Sequence, residues 1–430
     1  MTRLATASVS RPGAFALWLC VAALCGDAVA QGDVKSVPPT AYKVRRILTV
    51  SGPPIDDAVV LVEDGKIAKI GKASEIDIPD KAEVVDLGEA WASPGFIHPA
   101  SLAFTSAQGF DVQGRRDGGD RYLADEIVPN WDLMARIARQ GFTRLNVVPT
   151  DGGLAGQGCL VRPIPRREGN LRSEWMITSR ASCLMMGFAP RTSVKTFWKE
   201  LFGKTAPKKT GTDSKAPSSS RAAESKPATE SKPAESRPAA PADSKDPKLA
   251  AIADVMDRKL PGLLALTNAA ALLHFEPFFK ENEKFRPILV LPPDAWNVLD
   301  RVVKLGVPVI LSTASSFRPD TNIVRFAPLD YFDRGVPTAL IPETSAASGY
   351  VDFSFHLTET VRRGTDASRV LRSVTLTPAE LLGVSDETGS LDAGKTADIL
   401  FWTGDPMAST SRLIRTLAAG ATVYDESKEP

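Results

Sequence analysis

"SPGFIHPASLAF", Ser93 to Phe104, divides the chain into two patterns of residues. Before it lie short alternating runs, Tyr42 to Val50, Ala58 to Glu63 and Lys66 to Ile70, which read as strands. Glu63-Asp64-Gly65-Lys66 supplies a hairpin turn between the last two. After Pro94, apolar strand-like runs alternate with helix-like runs, as a parallel α/β architecture requires. Phe142 to Val148, Gly262 to Leu266, Pro287 to Leu291 and Val307 to Leu311 read as strands. Asn130 to Arg139 and Ala295 to Leu305 read as helices, the second stopped by Gly306. Asp352 to Arg363 and Thr377 to Leu382 are two more expected helices, the latter capped by Thr377 with Pro378 at its first position. Ile399 to Trp402 and Ala421 to Tyr424 then return to β character. The order is small β, large α/β, small β.

The chain has 430 residues, 43% hydrophobic and 24% charged, which fits one large folded domain plus a smaller one. Its first thirty residues have the makings of a signal peptide. Arg3 and Arg11 form a basic start, Ala14 to Leu24 an apolar stretch, and Ala28-Val29-Ala30 a small-residue cleavage site. An uncleaved anchor is the alternative, but the apolar stretch is short against the roughly 20 residues a span needs. Export to the periplasm or the extracellular space is therefore expected, with no transmembrane span after cleavage. Cleavage removes Arg3, Arg11 and Asp27, so the formal charge falls from +1 to 0 and gives no electrostatic case for a nucleic-acid partner. Cys20 and Cys25 leave with the same segment. Cys159 and Cys183 remain, and one disulfide and two buried thiols both stand as readings. No cysteine pair has zinc-site spacing.

From Lys204 to Lys248 the composition shifts to Ala, Pro, Ser, Lys and Glu, with the near-repeats ESKPA, ESKPA and ESRPA. So few large apolar residues cannot offset the entropy of ordering, and a disordered, solvated insertion is expected. It carries ten Lys and Arg against six Asp and Glu, a surplus of +4 that leaves contact with a polyanion as the alternative.

Three further stretches carry the resemblance to a known family: "VEDGKIAKIG" (62–71), "VVDLGEAWASPGFI" (84–97) and "TLTPAELLGVSDETGSLDAGKTADILFWTGDP" (375–406). With "GFTRLNVVPTDGGLAGQG" (141–158), they resemble the amidohydrolase superfamily, and within it the imidazolonepropionase-like members. The Gly-Ser-Leu-x-x-Gly-Lys-x-Ala-Asp pattern is the most specific part. What the resemblance implies is an α/β fold: an amidohydrolase-type (β/α)8 TIM barrel, residues 93–387, interrupted by the 204–248 insertion. A small β-sandwich domain from both chain ends, 31–92 and 388–430, is implied beside it, after a signal peptide over 1–30.

The resemblance also implies chemistry at the C-terminal ends of the barrel strands. Hydrolysis of a C–N bond at a divalent metal needs His nitrogens and carboxylates to hold the ion that acidifies its water. The family places a His-x-His pair after the first strand, His after the fifth and sixth, and Asp after the eighth. Carried onto this chain, the pair falls on Ala100 and Leu102, the fifth-strand ligand on Leu266 and the sixth on Pro292. After Pro337 to Ile341, the candidate eighth strand, Pro342-Glu343 stands where the Asp is expected.

The chain has only three histidines. His98 stands where the family's Asp would be, at a strand end facing the expected site, and is the candidate among them; a hydrogen-bonded structural histidine is the alternative. His274, in an apolar helix, and His356, in the helix after the last strand, read as structural. Asp151 to Gly158 does not match a phosphate loop, and Gly152 and Gly153 are expected in turns. Asp111, Arg115, Arg116, Asp117 and Asp120 crowd a loop that reads as solvated, with contact to a polar substrate as the alternative.

Three functions follow. The first is an exported, non-catalytic member of the fold that binds a small molecule, an intact relative or another copy of itself, with no cofactor. The second is an active hydrolase with a displaced or metal-free site in which His98, Asp294 and Glu343 act as acid and base and converge in one cavity; only here would zinc or another divalent metal enter. The third is an envelope scaffold in which the insertion matters most.

Overall fold

The computed structural model describes residues 38–104, 118–150, 153–164, 176–205, 247–343 and 347–428. The signal segment, Asp111 to Asp117 of the charged loop, Gly152 and nearly all of the insertion lie outside the described residues.

In chain order the first strands are β1 (Thr40–Ile47), β2 (Ile55–Glu63), β3 (Lys66–Lys72), β4 (Glu83–Asp86) and β5 (Trp91–Pro94). β1, β2 and β3 form an antiparallel ladder, with the expected turn at Asp64-Gly65. The barrel begins with β6 (Phe96–Ser101) and continues through α1 (Trp131–Arg139), β7 (Phe142–Val147), β8 (Gly153–Val161) and β9 (Ile177–Phe188). There follow α2 (Thr192–Thr205), α3 (Pro247–Met256), β10 (Gly262–Leu266), α4 (Ala271–Glu281), β11 (Ile288–Leu291), α5 (Leu299–Leu305) and β12 (Val309–Ser312). A short ribbon, β13 (Ser316–Phe317) with β14 (Val324–Arg325), precedes α6 (Ala327–Asp333), β15 (Thr338–Ile341), α7 (Ala347–Val351) and α8 (Phe353–Arg362). The chain closes with α9 (Ala367–Val374), α10 (Leu376–Leu381), β16 (Ile399–Trp402), β17 (Leu413–Ala418) and β18 (Ala421–Asp425).

β6 to β12 and β15 form one eight-stranded sheet in the order β15-β12-β11-β10-β9-β8-β7-β6. Its two end strands, β15 and β6, lie against each other, so the sheet curls into a nearly closed barrel. Neighbours are parallel except around β8, which is antiparallel to both β7 and β9. Gly153, expected in a turn, therefore opens a strand. At Gly158 a Cβ would stand 2.8 Å from the Val147 carbonyl oxygen and 2.9 Å from Cys183 Sγ, so glycine is set there by the closeness of both neighbouring strands.

Alternation sorts the barrel side chains. Ala100, Ala155, Cys183, Met185, Leu263, Ile288, Ile310 and Ala339 pack into a single cluster with Val148, which is a lumen filled from seven strands and from the residue that follows β7. Phe96, Leu145, Leu184, Leu264, Leu289, Leu311 and Leu340 face outward and pack beneath the helices. Asn130 caps α1 by accepting the Leu133 N–H at 3.0 Å. The cap of α10 lies two residues earlier than expected, at Thr375 rather than Thr377, so Pro378 is its third residue. Its Ala379 and Leu382 pack on Ile97 and Leu160, closing the N-terminal end of the barrel.

The second sheet joins both chain ends, in the order β18-β17-β16-β5-β1-β2-β3 with β4 on β1. Its core contains Tyr42, Ile47, Val60, Ile67, Ala92, Ile399, Phe401 and Leu417. The chain-end junction is β16 against β5, where Leu400 faces Ser93 and Trp402 Nε1 donates to Ser93 Oγ at 3.0 Å. Ser93 and Pro94 thus belong to this sheet, and the barrel starts at Phe96. No described helix is long and apolar enough to cross a membrane.

Candidate functional site

Within each strand of the barrel, the residues that reach the C-terminal mouth follow the same alternation as the lumen. Leu102, Ala265, Val290 and Ile341 pack on the lumen cluster as its upper layer. Ala100 and Leu102, the two positions carried from the expected His-x-His pair, are therefore inward-facing and apolar. Leu266 corrects the expected fifth-strand position: it lies in the outer cluster under the helices, and Ala265 is the inward residue beside it. Pro292 opens the 3-10 turn Pro293–Val298 that leads into α5.

His98 turns away from the lumen. Its ring sits 5.9 Å from Phe142 and 5.6 Å from Tyr350, both part of the outer cluster, and is 2% exposed. Nδ1 accepts the Ala100 N–H at 3.2 Å, which places the ring proton on Nε2. Burial lowers the imidazole from its ordinary 6.5 to about 3, so His98 is neutral throughout the physiological range. An acid or base working near neutrality needs a value close to the operating pH.

This burial has a consequence for stability. The folded state gains from the neutral ring above pH 6.5 and loses that gain as pH falls toward 3, because only the unfolded state binds the proton in that window. The slope is about 1.4 kcal/mol per pH unit. His98→Gln is expected to remove about 3 kcal/mol of the acid destabilisation between pH 7 and pH 4, measured by urea unfolding at each pH. An unchanged slope would mean that the folded ring takes up the proton.

Asp294 sits in the turn after β11, where Oδ2 accepts, at 3.4 Å, the N–H of Ala269 in the loop between β10 and α4. Glu343, just beyond β15, is exposed and lies 3.6 Å from His356 Nδ1 on α8. His98, Asp294 and Glu343 are joined to one another by no hydrogen bond or ion pair among the described residues. His356, expected to be structural, thus lies beside Glu343, and no spacing in the sequence signals the approach. His274 lies on the protein surface, 3.3 Å from Lys195 Nζ. Under the mouth, Ser101 Oγ and Tyr350 Oη are 2.7 Å apart, and burial raises the phenol to about 12 against the lowering effect of this contact.

The donor set does not fit a metal of the kind the family uses. Alanine, leucine and proline side chains, which stand at the positions the resemblance assigns to its ligands, offer no lone pair to a cation. Among the described residues no three His, Cys, Asp or Glu side chains gather as ligands. The two cysteines are free and buried. Cys183 faces the lumen while Cys159 lies in the outer cluster, so the two thiols point to opposite faces of the sheet and cannot pair. Burial pushes the Cys159 thiol up to about 12.

The family's most specific motif folds into a structural joint. Asp398, from the terminal Ala-Asp of that pattern, is 2% exposed at its side chain, and its Oδ2 lies 3.0 Å from Nε of the equally buried Arg144 on β7. Thr388 Oγ1 donates to the same oxygen at 2.9 Å, and the Ala419 N–H donates to Oδ1 at 2.8 Å. Barrel and terminal sheet are thus tied by one carboxylate.

A nearly closed α/β barrel, plugged at its N-terminal end and tied to a sheet made from both chain ends, is a scaffold whose chemistry, where it has any, sits at the C-terminal ends of the strands. Residues 287–425, from the residue before β11 to the end of β18, match the amidohydrolase family model. The fold is similar to that of an amidohydrolase from Thermotoga maritima, with a TM-score of 0.69 and 20% identity over 90% of this chain and 100% of that one. It is also similar to a Xaa-Pro dipeptidase with methionine bound in its active site (TM-score 0.52, 12% identity, 90% and 100% covered). A molinate hydrolase gives a TM-score of 0.51 at 14% identity, with 90% and 95% covered. No curated protein matches the sequence significantly. The chain thus shares the fold of these solved hydrolases, and its C-terminal third matches the amidohydrolase family model.

Proposed function

We propose that this chain is an exported amidohydrolase-superfamily protein that does not carry out metal-dependent hydrolysis and acts by binding. Its partner in this reading is a second copy of itself or an intact relative, and its descent is from hydrolases of non-peptide C–N bonds of the imidazolonepropionase-like kind. The observation that carries the reading is the apolar upper layer of the barrel, Leu102, Ala265, Val290 and Ile341 above Ala100, at the end where such enzymes do their chemistry. A scaffold kept for its fold or its surfaces tolerates this loss, whereas water activation does not.

Metal analysis of the purified mature chain tests it. After incubation with zinc and dialysis, the protein is expected to retain well below one zinc per chain and to hydrolyse no N-acyl amino acid or dipeptide. Stoichiometric zinc retained at a fixed site would sink the reading.

A second reading, an active hydrolase with a displaced or metal-free site, draws support from the 3.6 Å approach of Glu343 to His356 at the barrel mouth. It requires measurable hydrolysis that Glu343→Gln abolishes without lowering the melting temperature.

A further inference from the structure

At the N-terminal end of the barrel, opposite the mouth, lies a cavity of about 860 Å³. It opens between the starts of β10, β11 and β12, the first half of β9 and the end of α10. Its volume is within the range of about 300–1,000 Å³ typical of small-molecule sites. Val255, Leu260, Ile288, Val307 and Leu381 give it apolar walls, while Arg258 and Arg286 stand at it with their charges.

The local charge balance is what singles this cavity out. Lys259, also at the cavity, is answered by Asp257 at 3.3 Å and Asp254 at 3.9 Å, and Glu380 by Arg372 at 2.6 Å. Arg258 and Arg286 have no ion-pair partner among the described residues; Arg286 makes only a 3.1 Å hydrogen bond to the Phe285 carbonyl oxygen. The cavity therefore combines two unanswered guanidinium groups with apolar walls. A guanidinium offers a planar fork of donors that matches a carboxylate, and the walls gain from covering a hydrocarbon body.

From this juxtaposition we infer that the cavity binds a small amphipathic anion, a carboxylate head on an aliphatic body, with Arg258 and Arg286 holding the head. The inference stands apart from the reading of the barrel mouth, because the two sites are at opposite ends of the barrel. Binding here leaves the mouth's chemistry untouched whichever way that is decided.

Calorimetric titration of the full mature chain with decanoate, kept below the concentration at which it forms micelles, tests the inference. The expected result is saturable binding at one site per chain, with decanol bound markedly more weakly and acetate giving no measurable binding. R258Q/R286Q is expected to weaken decanoate by about tenfold or more, as the loss of charge-assisted hydrogen bonds requires. Both arginines are exposed, so this variant should melt like the wild type. Should it melt early, Val384→Glu, which sets a carboxylate in the lining, is expected to give the same loss. Absence of saturation in the wild type, decanol bound as tightly as decanoate, or undiminished affinity in these variants would each overturn it.

Discussion

Asp398→Ala is expected to lower the free energy of unfolding by about 3–5 kcal/mol, the cost of leaving a buried charge without its partner. The wild-type carboxylate answers Arg144 Nε at 3.0 Å, receives the Thr388 hydroxyl at 2.9 Å and accepts the Ala419 N–H at 2.8 Å, all out of contact with water. Alanine removes every one of these and strands the Arg144 guanidinium, which is 3% exposed. Arg162 worsens the position, since burial and then Arg144 already disfavour its charge and Asp398 acts to restore it. Arg144→Met/Asp398→Leu, which removes both charges and refills the volume, is expected to recover most of the loss. Urea unfolding of the wild type, both single variants and the double variant measures the coupling. A loss under about 1 kcal/mol for Asp398→Ala would show a pair still reached by solvent.

That joint also shows how unevenly the molecule could be read from its residues. The flanking motifs announced the fold because the barrel's attachment to the terminal sheet depends on a particular carboxylate, and Asp398 cannot change without disturbing several partners. The parallel strands were legible as short apolar runs between helical patterns. β8 was not, because its glycines leave no alternation to follow, and the reason they are present is the closeness of β7 and β9, which is a property of the sheet. Which residues of a strand face the lumen was hidden for a related reason. β10, Gly262–Leu266, is apolar on both faces, so nothing in the run itself distinguishes Ala265 from Leu266. His98 was misdirected by the same ambiguity on β6, whose residues are all buried. The pairing of Glu343 with His356 crosses from a loop to a helix and has no periodic signature at all.

Gly95→Ala is expected to cost about 3 kcal/mol or more, at or above the upper end of ordinary overpacking. Gly95 is where the chain passes from β5 in the terminal sheet to β6 in the barrel, its N–H donating to the Asp398 carbonyl oxygen at 2.9 Å. A Cβ there would stand 2.0 Å from Thr143 Oγ1, 2.4 Å from Cγ2 and 2.7 Å from Cβ, and rotating the threonine moves only the first two. Relief must come from the partner. Thr143→Ala leaves the atom at 2.7 Å and should rescue Gly95→Ala only in part, whereas Thr143→Gly clears all three atoms. In the Thr143→Gly background, Gly95→Ala is therefore expected to cost less than about 1 kcal/mol, on top of the roughly 0.5–1 kcal/mol that glycine itself costs in a strand. Unfolding of the three single and two double variants measures this, and equal costs in the wild-type and Thr143→Gly backgrounds would show that the backbone at Gly95 can shift. The graded outcome bears on function as well as stability, because the glycine of the Pro-Gly-Phe-Ile run serves the crossing between two sheets. In the proposed reading, the scaffold's demand falls on Gly95 and that of a metal site on Ala100 and Leu102, different residues of one segment, so the first would persist where the second is lost.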